Sequence, residues 1–276
     1  DRVFVGNGSD EVLAHIFNGL LKHPKPILFP DISYSFYPVY CKLYGVEFEP
    51  VALNEDFEID LDEYNRDNGG IIFPNPNAPT GLSVTRAALK NLLERNRRSV
   101  VVVDEAYSAF ADDSFVDLIN NYPNLLIVQT LSKSHALAGL RVGFAFASPR
   151  LIEALERIKN SFNSYPIDRL ALAGASAAVE DEAYFRTIRD RVIETRTRTI
   201  KNLKDLDFDV LPSQTNFVFV THGRMAASNI AQALRQRSII VRHFDHPRTA
   251  NYLRITIGTD QEIDALIGAL REILEP

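Results

Sequence analysis

The feature that most constrains the fold is the alternation, in the first half of the chain, of short β-branched and apolar runs with amphipathic stretches. Seven such runs are predicted strands: Val3–Val5, Ile27–Phe29, Glu47–Val51, Gly70–Phe73, Val100–Asp104, Leu125–Thr130 and Val142–Ala147. One helix is predicted to begin near Asp10, and another to run from a Thr85 cap to about Arg95. This alternation is typical of β-α units that build a mostly parallel sheet covered by helices.

The second half of the chain has a different pattern, which turns helical after Pro149. The predicted elements are helices at Leu170–Val179, Asp181–Lys204, Ala226–Gln236 and Asp260–Leu274, and strands at Asn216–Val220, Ile239–Arg242 and Leu253–Ile257. We therefore predict an α/β fold, with a large domain at residues 1–178 and a smaller α+β domain at residues 179–276.

Composition and charge narrow the class of partner. The 276 residues carry a formal net charge of -6, which gives no electrostatic reason to expect nucleic acid or an anionic membrane as partner. No apolar run approaches the ~20 residues that span a bilayer. The first residues show no basic-then-apolar leader, so we expect a cytoplasmic protein with a small-molecule ligand. Asp1–Val5 resembles a strand already under way, so we expect that an N-terminal segment is missing.

The informative residues lie in loops that follow predicted strands, where ligands of open α/β sheets bind. In the first loop, a strand ending at Val5 is followed by Gly6, Gly8 and the start of a helix. Backbone amides at such a helix N-terminus can bind phosphate. The alternative is a glycine turn in which Ser9 or Asp10 caps the helix. A third glycine is lacking, so this is not the dinucleotide-binding fingerprint.

The second loop, Pro74–Gly81, contains three prolines that stiffen the backbone. Its asparagines, Asn75 and Asn77, are well placed to hydrogen-bond a planar ligand. The alternative is a rigid loop that merely ends a strand.

The third loop places Asp104 and Glu105 at the end of a buried strand, with Tyr107 shortly after. An ionised carboxylate that faces a heteroaromatic nitrogen would keep that nitrogen protonated, and a phenol could bond a ring oxygen. The alternative is a magnesium-binding carboxylate, but the chain lacks the accompanying phosphate-loop motif.

In the fourth loop, Lys133 follows a strand, next to Ser132 and eight positions before Arg141. This arrangement suits a lysine that forms a Schiff base beside a phosphate dianion. A solvated surface lysine is the alternative for this loop taken alone. The four loops together supply complementary parts of one cofactor site.

Together these loops resemble those of the fold-type I pyridoxal-phosphate aminotransferases, with motifs most similar to the histidinol-phosphate aminotransferases. The resemblance runs in order along essentially the whole chain: Gly6–Glu11, Tyr34–Tyr37, Pro74–Gly81, Asp104–Tyr107, Thr130–Lys133, Gly139–Gly143, Asn216–Phe217 and Tyr252–Gly258.

The resemblance implies pyridoxal 5'-phosphate as cofactor and Lys133 as the catalytic lysine that carries it and moves the proton. Asp104 would keep the pyridine nitrogen protonated, Tyr107 would bond the phenolic oxygen, and Tyr34 would stack on the ring. The implied phosphate-binding set consists of Gly8, Ser9, Asp10, Ser132 and Arg141.

For the substrate, the resemblance implies that Arg254 binds the α-carboxylate and that Arg242 binds a substrate phosphate. Asn216 is also assigned to substrate binding. For each arginine the alternative is a structural residue of its strand. No residue is expected to bind a metal.

Two departures from the family pattern stand out. In most members of the family the proline-rich loop has the sequence NNPTG, and its second asparagine contacts the phenolic oxygen of the cofactor. Here that position is Ala78. We expect Asn77 to make the contact instead, with Asn75 as a further candidate. The family's N-terminal arm, which supplies tyrosines to the substrate pocket and across the dimer, is not present before Gly6.

The resemblance implies a homodimer that transfers an amino group between L-histidinol phosphate and 2-oxoglutarate in histidine biosynthesis. The alternatives are an aminotransferase for aromatic or other amino acids, a pyridoxal-phosphate decarboxylase of phosphorylated amino acids, a non-catalytic sensor module, or an inactive fragment that retains the fold. The sensor modules depend on a fused basic DNA-binding domain, and nothing here is basic enough.

Overall fold

The computed structural model describes residues 1–275, which divide into two compact units. Unit 1 comprises Asp1–Ala78 and Leu82–Phe185, and unit 2 comprises Pro79–Gly81 and Arg186–Pro276. Residue 178, after which the sequence-based boundary was placed, lies in a helix of unit 1. That boundary, as a division between functional domains, stays a prediction.

Unit 1 is built on a seven-stranded sheet. Its strands are β1 Val3–Asn7, β2 Ile27–Pro30, β3 Phe48–Val51, β4 Ile71–Pro74, β5 Val101–Asp104, β6 Leu125–Thr130 and β7 Val142–Ala147. The spatial order is β1-β7-β6-β5-β4-β2-β3. Strands β3, β2, β4, β5 and β6 run parallel, whereas β7 is antiparallel to both of its neighbours. The prediction of a mostly parallel sheet is confirmed.

Helices cover both faces of this sheet. They are α1 Gly8–Gly19, α2 Tyr37–Tyr44, α3 Arg86–Arg95, α4 Leu131–Ser134, α5 Pro149–Phe162 and α6 Arg169–Glu180. Short 3₁₀ helices lie at Leu61–Tyr64, Ser108–Phe110, Val116–Asn120 and Ala138–Leu140. One core cluster packs α1, α2 and α5 on one face of the sheet, and a second packs α3 on the other. The predicted Thr85 cap is confirmed, because its hydroxyl accepts from the Ala88 amide at 3.2 Å.

Unit 2 is an α+β unit with a four-stranded antiparallel sheet in the order β10-β11-β9-β8. Its strands are β8 Phe208–Val210, β9 Phe217–His222, β10 Arg242–His243 and β11 Leu253–Thr256. Its helices are α8 Ala227–Gln236, α9 Asp260–Leu274 and most of α7, which spans Glu182–Lys204. No helix of residues 1–275 is long and apolar enough to cross a membrane.

One strand prediction is wrong. The run Ile239–Arg242 was expected to be a strand, but only Arg242 belongs to β10. The amide of Ile239 instead donates to the carbonyl of Leu234 at 3.0 Å and so closes the end of α8, while Ile240 is 74% exposed. Ile239 therefore closes the end of a helix, which the strand propensity of this β-branched run does not reveal.

Candidate active site

The loops of the candidate site follow the carboxyl ends of adjacent parallel strands in unit 1. Pro74 of β4 pairs with Asp104 of β5, and Asp104 pairs with Val128 of β6. The main chain continues this register beyond the strands, since the Asn75 amide donates to the Asp104 carbonyl at 2.9 Å. The sheet thus brings the proline-rich loop, the acidic loop and the lysine loop to one edge, as expected for an open α/β sheet.

Asp104 is a buried carboxylate, 5% exposed. The Tyr37 hydroxyl donates to its Oδ2 at 3.0 Å, and the Ala106 amide donates to its Oδ1 at 3.2 Å. It forms no ion pair with a lysine or arginine of the described chain. Burial raises the pKa of Asp104 to about 6, against the lowering effect of the two hydrogen bonds. The site therefore holds a buried acid without a cationic partner.

A second cluster forms where α1 begins. Gly8 has φ +79°, in the left-handed region, and a Cβ there would lie 2.2 Å from Nη2 of Arg141. A Cβ on Gly143 would lie 2.3 Å from the amide nitrogen of Ser9. The two glycines therefore allow the Arg141 guanidinium and the first turn of α1 to approach closely.

The alternative reading of this turn, in which Ser9 or Asp10 caps the helix, is wrong. Both residues lie inside the first turn of α1, because the strand β1 extends to Asn7 and the helix begins at once at Gly8. Asn7 occupies the capping position and its side chain makes no capping hydrogen bond. The carboxylate of Asp10 instead pairs with Arg141, Oδ2 to Nη2, at 3.0 Å.

Arg141 itself has an unusual backbone, with φ +52°. Left-handed conformations are uncommon for residues other than glycine and cluster at functional sites. The conformation turns the chain from the lysine loop into β7 and leaves the guanidinium beside the N-terminus of α1.

The lysine loop is a single helical turn, α4, that follows β6 directly. The Thr130 hydroxyl caps it by accepting from the Ser132 amide at 3.1 Å, and the Ser134 hydroxyl donates to the Thr130 carbonyl at 2.9 Å. Lys133 is exposed, and its Nζ lies 6.0 Å from the centre of the Tyr107 ring. The structure therefore brings the predicted lysine and the tyrosine of the acidic loop together.

Tyr34 belongs to the same neighbourhood. Its hydroxyl donates to Oδ1 of Asp10 at 2.8 Å, and its ring meets that of Tyr37 edge-on with centroids 5.6 Å apart. Burial and the Asp10 carboxylate raise the pKa of the Tyr34 phenol, so it stays protonated.

The asparagines of the proline-rich loop point into the fold. Asn77 is 1% exposed and its amide donates to the Ile32 carbonyl at 3.1 Å. The Asn75 side chain accepts from the Val84 amide at 2.9 Å. Both side chains hold the loop in place, and a contact of Asn77 with a cofactor stays a prediction.

The residues present fit a cofactor with a protonated ring nitrogen and a phosphate. Asp104 is a buried anion whose two donors are neutral, so it can accept from a cationic N–H. Arg141 and the uncapped N-terminus of α1, packed together by two glycines, are donors suited to a phosphate dianion. Among the described residues, no group of three or more His, Cys, Asp or Glu side chains is arranged to hold a metal ion.

Unit 2 carries the predicted substrate-binding residues on its sheet. Arg242 of β10 lies directly opposite Arg254 of β11 in the antiparallel register. The Arg254 guanidinium carbon lies 5.1 Å from the centre of the Phe217 ring, and its Nε is buried without a hydrogen-bond partner in the described chain. Arg242 is exposed. Asn216 precedes β9, and its carbonyl accepts from the Ile257 amide at 2.8 Å.

Tyr37 is the residue that sequence reasoning missed. It lies in the quoted motif Tyr34–Tyr37 but received no role, although its hydroxyl is a direct hydrogen-bond partner of Asp104. The sequence signal was its place three residues after Tyr34, and in the structure the Tyr37 amide donates to the Tyr34 carbonyl at 3.2 Å, so one turn joins the two tyrosines.

Comparison with known proteins agrees with this geometry. Residues 1–270 match the family of class I and II aminotransferases. The chain is 59% identical over 269 residues to a histidinol-phosphate aminotransferase of Pseudomonas putida, covering 98% of this chain and 77% of the relative. It is 58% identical over 275 residues to histidinol-phosphate aminotransferase 1 of Hydrogenovibrio crunogenus, covering 100% of this chain and 77% of the relative.

Solved structures show the same fold. The histidinol-phosphate aminotransferase of Clostridium acetobutylicum aligns with a TM-score of 0.91 at 24% identity, over 99% of this chain and 84% of that one. The enzyme of Sinorhizobium meliloti aligns with a TM-score of 0.90 at 24% identity, over 99% of this chain and 76% of that one. The latter was solved in complex with pyridoxal 5'-phosphate, the cofactor on which aminotransferases of this family depend. The predicted fold type and cofactor are confirmed, and the chain belongs to the class I and II aminotransferase family, where its similar relatives are histidinol-phosphate aminotransferases.

Proposed function

We propose that the chain transfers an amino group between L-histidinol phosphate and 2-oxoglutarate, giving imidazole acetol phosphate and L-glutamate, in histidine biosynthesis. The identity of 59% to a histidinol-phosphate aminotransferase of Pseudomonas putida supports the choice of substrate. As the working form we propose a cytoplasmic homodimer, with a cofactor-binding domain at residues 1–178 and a smaller domain at residues 179–276.

The observation that carries the proposal is the opposed pair Arg242 and Arg254. Like charges directly opposite each other on a sheet are destabilising, so this pair is costly unless an anion binds there. The guanidinium group matches carboxylate and phosphate oxygens in a bidentate geometry. The pair therefore suits substrates that present a phosphate or an α-carboxylate, with Arg242 binding the phosphate, Arg254 the carboxylate, and Asn216 adding a polar contact.

Pyridoxal phosphate, when bound, supplies an electron sink for a carbanion at the substrate Cα. Lys133 would hold it covalently through Nζ and then move the proton at the substrate Cα. The Asp104 carboxylate would hold a proton on the ring nitrogen, because a buried anion favours a cationic partner. Tyr107 would donate to the ring oxygen, and Tyr34 would offer an aromatic face.

The remaining proposed contacts secure the cofactor. Its phosphate would be bound by the Arg141 guanidinium, whose place beside the first turn of α1 supports this role. The other phosphate donors would be the amides of Gly8, Ser9 and Asp10 and the hydroxyl of Ser132. Asn77 is the proposed contact from the proline-rich loop.

The first test is the absorbance spectrum of the purified protein with added pyridoxal phosphate, before and after glutamate or histidinol phosphate. We expect a band of lysine-bound cofactor that either donor removes. Lys133→Ala should lack the band, whereas Lys90→Ala, a change at an exposed lysine of α3, should retain it. No band in the wild-type protein, or a band that persists in Lys133→Ala, would refute the assignment.

Specificity is tested with the two arginines. Arg242→Ala should raise the KM for histidinol phosphate about 10- to 100-fold, the range of a lost charge-assisted contact, and affect glutamate less. Arg254→Ala should mainly affect glutamate, and Arg235→Ala, at an exposed residue of α8, serves as the control. Release of CO2 from a phosphorylated amino acid without a keto acceptor would replace the proposal with the decarboxylase alternative.

A further inference from the structure

The hydrogen bond between Tyr37 and Asp104 links helix α2 to the acid that ends β5. The Tyr37 hydroxyl donates to Oδ2 at 3.0 Å, while the Ala106 amide donates to Oδ1 at 3.2 Å. Each carboxylate oxygen therefore has one protein donor. Because a carboxylate oxygen has two lone pairs, each keeps one acceptor position for a further N–H.

The Tyr37 side chain has no freedom to leave this position. It is 0% exposed, and its ring packs against those of Phe17, Phe29 and Tyr34 with centroids 5.6 to 5.9 Å apart. Burial and the Asp104 carboxylate raise the pKa of the Tyr37 phenol, so it remains a donor at physiological pH. Water cannot readily replace a hydroxyl in such an enclosed place.

The charged groups around Asp104 show why a donor matters. Asp10 on α1 and Glu105 on the acidic loop are acids whose charges raise the pKa of Asp104, in the same direction as burial. The Tyr37 hydroxyl acts in the opposite direction. The neighbouring Tyr34 and Tyr40 donate instead to Asp10, to its carboxylate and its carbonyl respectively, so Tyr37 is the phenol of this segment that serves Asp104.

We propose that Tyr37 is a positioning residue for amino transfer: its hydroxyl holds the Asp104 carboxylate ionised and in one orientation, with a free acceptor position for the ring nitrogen of the cofactor. The proposal deepens the function proposed above and rests on it. The role is distinct from packing, because Phe would make the same ring contacts and lack only the donor.

The test is Tyr37→Phe in the holoenzyme, with Tyr64→Phe as a matched control. Tyr64 is also a buried tyrosine, but its hydroxyl has no hydrogen-bond partner within residues 1–275, so the control removes the same atom without removing a bond to an acid. We expect Tyr37→Phe to weaken binding of pyridoxal phosphate about tenfold, the size of one lost hydrogen bond to a charged group.

The absorbance titration of the lysine-bound cofactor gives a readout that packing would not move. A less firmly protonated ring withdraws less charge from the bond to the lysine, so Nζ of Lys133, joined to the cofactor, should become more basic. The midpoint pH of the absorbance change should rise by about one unit in Tyr37→Phe, in keeping with a hydrogen bond of ~1.4 kcal/mol. It should stay in place in Tyr64→Phe, and an unshifted transition in Tyr37→Phe would overturn the proposal.

A second readout uses the protein without cofactor. It distinguishes a failure of the proposed function from a failure of the role proposed for Tyr37. Tyr37→Phe should raise the ratio of unfolded to folded protein both at pH 8, where Asp104 is ionised, and at pH 4.5. The factor of increase should be about ten times larger at pH 8. In an Asp104→Asn background this pH dependence should be absent. A wild-type protein that binds no cofactor would sink the proposed function, while this comparison would still decide whether Tyr37 acts on Asp104.

The remaining outcomes are also decisive. An effect of Tyr37→Phe that is equal at both pH values, or equal in both backgrounds, would mean that the hydroxyl serves packing alone. If Tyr37→Phe does not fold, the double variant with Asp104→Asn should fold, because no buried charge then needs the donor. An unfolded double variant would overturn the proposal.

Discussion

Replacing Asp104 with asparagine should make the cofactor-free protein more stable at neutral pH. The carboxyl is 5% exposed, and its hydrogen-bond donors are a phenol and an amide rather than a cation. A buried charge of this kind costs free energy in the native state that it does not cost in the unfolded chain. The asparagine side chain has nearly the same shape and carries no charge.

The size of the effect follows from the pKa. Burial raises the pKa of Asp104 from 3.8 to about 6. A rise of roughly two pH units corresponds to about 3 kcal/mol of unfolding free energy at ~1.4 kcal/mol per unit.

The sign is set by which state binds the proton more tightly. Between about pH 4 and pH 6 the native state holds a proton on Asp104 that the unfolded state has lost, so this group makes stability fall as pH rises through that window. The lost stability stays lost at higher pH. The unfolding free energy of Asp104→Asn, measured relative to that of wild type, should therefore increase by about 3 kcal/mol between pH 4 and pH 8.

The measurement is urea unfolding of both cofactor-free proteins, followed by far-UV circular dichroism, from pH 4 to pH 8. Asp113→Asn is a control without this pH dependence, because the Arg86 guanidinium holds the pKa of Asp113 below its ordinary value of 3.8. Above about pH 5 this carboxyl is ionised in both the folded and the unfolded state, so the stability difference between that variant and wild type should stay nearly constant up to pH 8. A stability difference for Asp104→Asn that is constant with pH, or that shrinks as pH rises, would refute the reasoning.

Three further predictions concern other parts of the chain. Glu105→Gln should lower the unfolding free energy by about 2 kcal/mol in urea titrations, because Oε1 of the buried carboxylate accepts from the Phe115 amide at 2.6 Å and Oε2 from Nε2 of Gln129 at 2.8 Å, and glutamine would turn an NH2 donor toward one of these two donors; a change below about 0.5 kcal/mol would contradict this. Gly8→Ala should weaken binding of pyridoxal phosphate more than that of pyridoxal in fluorescence titrations, since the new Cβ displaces Arg141; equal weakening would argue against the phosphate site. Thr259→Ala should cost about 1 kcal/mol in thermal unfolding through loss of the capping box of α9, and an unchanged midpoint would show that the cap contributes nothing.

Local patterns were sufficient to predict most of the secondary structure. Strands β6 and β7 and helix α9 have the predicted bounds, because each is a continuous apolar or amphipathic run whose neighbours do not compete for it. The strand predicted at Ile239–Arg242 was wrong for the opposite reason. There the Ile239 amide closes the end of α8 by donating to the Leu234 carbonyl, so the strand begins only at Arg242.

The type of fold and most of the candidate site residues were predictable from local patterns and motifs. Parallel strands place their carboxyl ends along one edge, so the pattern of strands alone predicts that the loops containing Asn75, Asp104 and Lys133 converge. Motif resemblance supplied their expected chemistry, and family comparison agrees with the cofactor.

The hydrogen-bond and ion-pair partners of these residues, in contrast, depend on long-range contacts. The bond from Tyr37 to Asp104 joins residues 67 positions apart, and the pair between Arg141 and Asp10 joins residues 131 positions apart. The opposition of Arg242 and Arg254 likewise depends on the register of two strands. Sequence patterns report the local periodicity of side chains, whereas the protonation and orientation of a buried carboxylate depend on burial and on donors that folding brings from distant parts of the chain.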